Sequence, residues 1–267
     1  MLPPPVLTIR GTLSLSDCLT DLCVDLADFE ADEQRLTDKL GLGKRFAAHK
    51  GMLAGAKTIA DGAKSMIAAQ LAVNDDYTLV ITGHSLGAGT AAILGSIWRD
   101  TFPDLKVYAY GPPCIAPKNV MPTSNQDIIS VINVGDPFAT LSLGHIADVA
   151  SALKYLAERR DVRNELLEVM KIGDGSRTRR QSKFLRNKAK EVRSVMTNEK
   201  FYPPGQLYEM DGRSGDKVVL RKFDEDRWSE MPLKQNILDI PKHVPIVYEE
   251  LLTKYKNENQ DEHKDDL

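Results

Sequence analysis

Three observations predict an α/β fold with a mostly parallel central sheet flanked by helices. Apolar, β-branched and aromatic runs at 78–82, 105–110 and 128–134 alternate with longer helix-favouring stretches, the order that yields parallel strands joined by crossover helices. The last of these runs is apolar nearly throughout, as suits a strand covered on both faces. The first passes through Gly83-His84-Ser85-Leu86-Gly87 straight into an Ala-rich segment, so strand, tight turn and helix follow one another without a polar spacer.

Each element follows from a local rule. Residues 6–12 begin as a short strand that stops at Gly11, and the sheet is expected to lack the strands that normally precede this point. Residues 15–29 carry Leu15, Leu19, Leu22, Leu26 and Phe29 on one helical stripe, with Ser14 or Ser16 available as the cap. That apolar face packs on the sheet or, over 13–22, forms a short lid. Residues 49–73 read as a long Ala-rich helix leading into the strand before Ser85. From 146 the character changes: 147–170 looks helical, 173–176 is a break, and 177–196 is a second helix crowded with Arg and Lys. A hairpin of 206–210 and 217–223 follows, then a short apolar connector at 237–240 and a helix from Pro245 to about Tyr255.

Residues 1–257 are thus expected to form a single domain, with a basic helical insertion at about 157–198, and 258–267 a disordered polar tail. At 267 residues and 42% hydrophobic content the chain can bury a full core. A net charge of −3 gives no overall attraction to nucleic acid, which is not an expected partner. Three cysteines without zinc-like spacing describe neither a disulfide framework nor a metal site and suit a reducing compartment. No run approaches the ~18 consecutive apolar residues of a spanning helix. A cytoplasmic protein is expected, with peripheral membrane contact through the basic helix as one reading and a merely solvated basic face as the other.

The chemistry is read from Ser85. At the apex of a strand-turn-helix elbow its hydroxyl is exposed to attack a carbonyl, but a serine needs an imidazole to take its proton and a carboxylate to orient that imidazole. Asp136 lies just past the end of a buried strand, where such an acid belongs in an α/β sheet, although Asp before Pro137 is also ordinary turn chemistry. Among five histidines, His49 precedes the serine, His84 adjoins it with its side chain directed into the fold, and His263 lies in the tail. His145 and His243 remain, and His243, in the loop before the last helix, is preferred. Two donors must meet the oxyanion; the backbone N–H groups of Leu86 and of Thr12 are the candidates.

Taken together, Ile9-Arg10-Gly11-Thr12, Asp17-Cys18-Leu19-Thr20-Asp21-Leu22, His49-Lys50-Gly51-Met52, the elbow through Thr90, Tyr110-Gly111-Pro112-Pro113, Gly135-Asp136 and Tyr202-Pro203-Pro204-Gly205 resemble the class 3 lipases, and most closely the catalytic domain of sn-1-specific diacylglycerol lipases. The resemblance implies an α/β hydrolase fold, a triad of Ser85, Asp136 and His243, an oxyanion hole at Thr12 and Leu86, and hydrolysis of an acylglycerol ester without a metal or other cofactor. It also implies that the segment between Asp136 and His243 stands where diacylglycerol lipases carry a regulatory loop. Two positions depart from the family pattern: Lys242 precedes the histidine where an acid is common, and 137–140 lacks the usual basic residue. Phospholipase A1 activity, general carboxylesterase activity and a catalytically silent lipid-binding role are the alternative readings.

Overall fold

Branching at Cβ favours extended backbone, and the first stretch to show it, β1, runs from Val6 to Ile9. A computed structural model describes residues 5–11, 50–74, 76–117, 127–140, 142–172, 174–198, 200–213, 217–223 and 237–262. The helix expected at 15–29, the lid expected at 13–22, Thr12, His49 and His263 lie outside the described residues.

Helix α1, Lys50–Ala72, leads to β2, Val80–His84, and Ser85 joins β2 to α2, Leu86–Trp98. Strands β3, Lys106–Tyr110, and β5, Ile128–Asn133, continue the sheet; a two-residue β4, Ala116–Pro117, pairs antiparallel with β6, Phe201–Tyr202. The hairpin is β7, Gln206–Asp211, with β8, Val219–Lys222, and the last helix is α6, Pro245–Glu262. Among the described residues the main sheet has the order β1-β2-β3-β5-β7-β8, parallel throughout except for the final β7–β8 pair. Helices flank this mostly parallel sheet, which is an α/β hydrolase arrangement with the elbow serine at the carboxyl end of β2.

Alternation along the strands turns successive side chains to opposite faces of the sheet. Val107 and Ile128 pack with Ile81, Ile93, Leu94 and Met52 in a cluster built on α1 and α2. Tyr110, Ile129 and Val131, on the opposite face, pack with Met210, Tyr248 and Leu251, under α6. Strand β5 is therefore apolar at nearly every position because both of its faces are covered.

Residues Ser142–Lys200 form a separate compact unit of helices. The sequence suggested one helix over 147–170; the structure has two, α3, Leu143–Glu158, and α4, Arg160–Met170, broken at Arg159, whose φ of −104° and ψ of 69° leave the helical region. No Gly or Pro marks that break, so nothing local announced it. Helix α5, Arg179–Ser194, starts at Thr178 with a capping box: Thr178 Oγ1 accepts from the Gln181 amide while Gln181 Oε1 accepts from the Thr178 amide. The ends of the unit are joined through Asp148, whose buried carboxylate accepts from the Asn198 amide at 2.9 Å and side chain at 2.8 Å and pairs with the Lys200 ammonium.

At the chain's end, α6 runs to Glu262, whereas the sequence ended it near Tyr255 and expected a polar tail from 258. The physical reason is tertiary: the Val218 amide donates to Glu258 Oε2 at 2.9 Å, tying the late turns of α6 to the hairpin.

Candidate active site

Local geometry builds the site from Ser85 outward. Ser85 has φ 58° and ψ −128°, and among the described residues no other non-glycine has positive φ. Such a backbone persists only where its surroundings over-determine it. Here the Ser85 amide donates to Tyr110 O at 3.0 Å, and its carbonyl accepts from Ala88 at 2.9 Å and Gly89 at 3.1 Å as α2 begins. The flanking glycines permit close approach: a Cβ on Gly83 would stand 2.9 Å from Ala88 N, and one on Gly87 would stand 2.8 Å from Gly11 N on the next strand's loop.

His243 ends a 3₁₀ segment, Ile237–His243, immediately before α6, and Asp136 follows β5. His243 Nε2 lies 2.8 Å from Ser85 Oγ and Nδ1 lies 2.8 Å from Asp136 Oδ2. All three side chains are buried, Asp136 completely and Ser85 least, at 7% exposure. Asp136 Oδ1 accepts from the amides of Phe138 at 2.9 Å and Ala139 at 3.4 Å, which fixes the carboxylate plane, and the Phe138 ring covers the imidazole at 4.4 Å between centroids. Leu86 is the first residue of α2, where a backbone N–H has no intrahelical partner and the helix dipole favours negative charge. Thr12 lies outside the described residues. His145, the alternative to His243, sits buried on α3 in the helical unit.

Polar groups that sequence reasoning missed complete the surroundings. Tyr248 on α6 donates from its hydroxyl to Asp136 Oδ2 at 2.7 Å, and burial, with Asp136 beside it, pushes its pKa well above the usual tyrosine value. The Asn133 side chain donates to Lys242 O at 3.0 Å, and His84 Nε2 donates to His243 O at 2.7 Å, so two successive carbonyls of the His243 segment are held from β5 and β2. Burial, and next the neighbouring His243, bring the His84 pKa down to about 4, which leaves that ring neutral. The expected direction of His84, into the fold, agrees with this contact. No sequence signal set Tyr248 apart from any core tyrosine on an amphipathic helix. Lys242, at the position where the family often has an acid, pairs with Asp239 at 2.9 Å instead. Among the described residues no group of three or more His, Cys, Asp or Glu side chains is placed to hold a metal ion.

A family model described as Lipase (class 3) matches residues 6–145, more than half of the chain. The chain belongs to the class 3 lipase family. This class 3 lipase is 36% identical over 162 residues to diacylglycerol lipase-alpha of Rattus norvegicus, a match covering 58% of this chain and 15% of that protein. With diacylglycerol lipase-beta of Mus musculus it shares 33% identity over 151 residues, 54% of this chain and 21% of that one. The secreted mono- and diacylglycerol lipase 1 of Fusarium solani is 28% identical over 109 residues, covering 40% and 29% of the two chains. The class 3 lipase described here thus spans less than a quarter of the length of either diacylglycerol lipase. A crystal structure of MDLA from Penicillium cyclopium is similar with a TM-score of 0.49 at 17% identity, over 77% of this chain and 60% of that one.

Proposed function

We propose that this chain hydrolyses ester bonds of acylglycerols, diacylglycerols first among them, through an acyl-enzyme on Ser85. The observation that carries the reading is the unbroken line of contacts from Asp136 Oδ2 through His243 to Ser85 Oγ, 2.8 Å at each step. Ser85 Oγ attacks the ester carbonyl carbon as its proton passes to His243 Nε2. Asp136 holds the imidazole with Nδ1–H toward the carboxylate and stabilises the imidazolium that forms. The amide of Leu86, with that of Thr12, meets the oxyanion, a donor of this kind being worth ~3 to 4 kcal/mol in the transition state. His243 then returns the proton to the departing glyceride oxygen, and water repeats the sequence on the acyl-enzyme. The names of the relatives support the substrate class, and no step calls for a metal or cofactor.

The test is fluorophosphonate labelling together with hydrolysis of a diacylglycerol and of p-nitrophenyl butyrate, for the chain and for Ser85→Ala. Labelling and turnover of both esters are expected, and both vanish in Ser85→Ala. A folded Ser85→Ala protein that still labels removes Ser85 from the role, and turnover of the short ester alone replaces the lipase by a general esterase.

The same reading makes residues 142–200 an insertion carried by one catalytic domain, and α5 its contact with an anionic lipid surface. Arg179, Lys183, Arg186, Lys190 and Arg193 are exposed at 4-3-4-3 spacing, one continuous face of the helix. No described helix is long and apolar enough to cross a membrane; in this reading the basic face makes a cytoplasmic, peripheral contact. Flotation with phosphatidylserine vesicles is expected and is abolished by high salt; equal binding to neutral vesicles overturns the electrostatic reading.

A further inference from the structure

We infer that Tyr248 is a positioning residue for the acyl-transfer machinery: its hydroxyl holds Asp136 Oδ2 in the orientation that presents Nε2 of His243 to Ser85. The inference rests on the triad reading given above and deepens it. It begins from hydrogen-bond direction, which three of the participants leave no choice about.

The Asn133 backbone amide lies 3.0 Å from the Tyr248 hydroxyl oxygen, and an amide can only donate. The phenolic proton is thereby turned to the other neighbour of that oxygen, Asp136 Oδ2, at 2.7 Å. Oδ2 is also the oxygen facing His243 Nδ1 at 2.8 Å. As acceptor for Tyr248 and imidazole alike, it requires the imidazole proton on Nδ1, and the free lone pair of Nε2 then faces Ser85 Oγ. A main-chain donor on β5 thus sets, through Tyr248, the tautomer that the proposed mechanism needs. The Phe138 and Ala139 amides hold Oδ1 and resist rotation of the carboxylate; Tyr248 holds the oxygen that does the work.

A structural role alone would not account for the placement. Tyr248 is 2% exposed and packs with Val131, Met210 and Leu251, which a phenylalanine would satisfy equally. The hydroxyl adds a polar group to that apolar contact and directs it at a carboxylate. Among the described residues the titratable groups around His243 are Asp136, His84 from β2 and Tyr248 from α6, with Tyr110 of β3 behind Tyr248 at 6.5 Å between rings and Lys242 next in the chain, paired with Asp239. His84 donates to the His243 carbonyl and is neutral, so it adds no positive charge beside the imidazolium, and the Lys242 ammonium is paired with Asp239.

The experiment compares the full chain with Tyr248→Phe and with 3-fluorotyrosine installed at position 248 alone, each checked for folding by circular dichroism. Fluorophosphonate labelling rate and the pH profile of kcat/KM are read. Removing the donor leaves the Asp136 charge fully directed at the imidazole, so Tyr248→Phe moves the acid limb to higher pH. It also lowers kcat about tenfold at unchanged KM, the scale of one hydrogen bond to a charged group. The fluorinated ring is a stronger donor and moves the limb to lower pH. Limbs and kcat unchanged in both variants, with only the melting temperature lowered, overturn the inference and leave Tyr248 a packing residue. Should Tyr248→Phe not fold, the fluorotyrosine protein decides alone, by a shifted or an unshifted limb. Ser85→Ala run alongside separates the two readings: labelling independent of Ser85 removes the triad itself, whereas Ser85-dependent labelling with unmoved limbs removes only the role of Tyr248.

Discussion

Ser85 shows what a single residue gives up for its chemistry. A φ of 58° on an L-residue that is not glycine is held by the neighbouring strand and helix, and the strain is of the order of 1–2 kcal/mol. Replacing the side chain by hydrogen releases it. Ser85→Gly is accordingly expected to be more stable than Ser85→Ala by about 1 kcal/mol after the extra unfolded-state freedom of glycine is subtracted. Urea unfolding of the two inactive proteins measures this, and equal midpoints would contradict the backbone described here. Chain order and the ends of predicted elements singled out Ser85, Asp136 and His243, with His145 as the alternative base, and the structure brings the first three side chains into contact. Tyr248 was not singled out, since its partner stands 112 positions earlier and only the packing of α6 against β5 brings them together.

Among the elements, strands and helices whose signals are local came out of the sequence with edges displaced by a residue or two: 105–110 became Lys106–Tyr110 and 128–134 became Ile128–Asn133. Elements bounded by tertiary contacts did not. The α3–α4 break at Arg159 has no breaker residue, and α6 reaches Glu262 because Val218 holds Glu258. The helical unit rests on a comparable contact at Asp148. Burial pushes its pKa up, but the hydrogen bonds from Lys200 and Asn198 outweigh this and hold it below the usual carboxylate value. Lys200→Met leaves that carboxylate buried without its counter-charge, a loss of roughly 3 kcal/mol. Hydrogen exchange of the α3 and α5 amides is the readout, with faster exchange expected across both helices; unchanged protection would show the pair to be dispensable.

At the scale of the whole molecule, the fold answers to pH through a half-buried histidine. His84 has a folded pKa of about 4 against 6.5 for an ordinary histidine. Between those values the unfolded chain takes up a proton that the folded chain refuses, so stability from this group is complete above pH 6.5 and is lost as pH falls toward 4. Thermal melts from pH 7 to 4 should show the decline. In His84→Gln, whose amide can still donate to the His243 carbonyl and does not titrate, the decline is shallower; an identical slope would place its origin in other groups. Charge too is divided along the chain: residues 142–200 hold fourteen Lys and Arg against eight Asp and Glu, a net of +6, while the remainder carries −9. The near-neutral total that argued against nucleic acid hides this division, whose sign in the sequence is the Arg- and Lys-rich helix read at 177–196. Within the helical unit Asn198 returns to within 2.8 Å of the Asp148 carboxylate, so the stretch between them starts and finishes a side chain's breadth apart, and a shorter, longer or differently charged replacement needs only the same two ends.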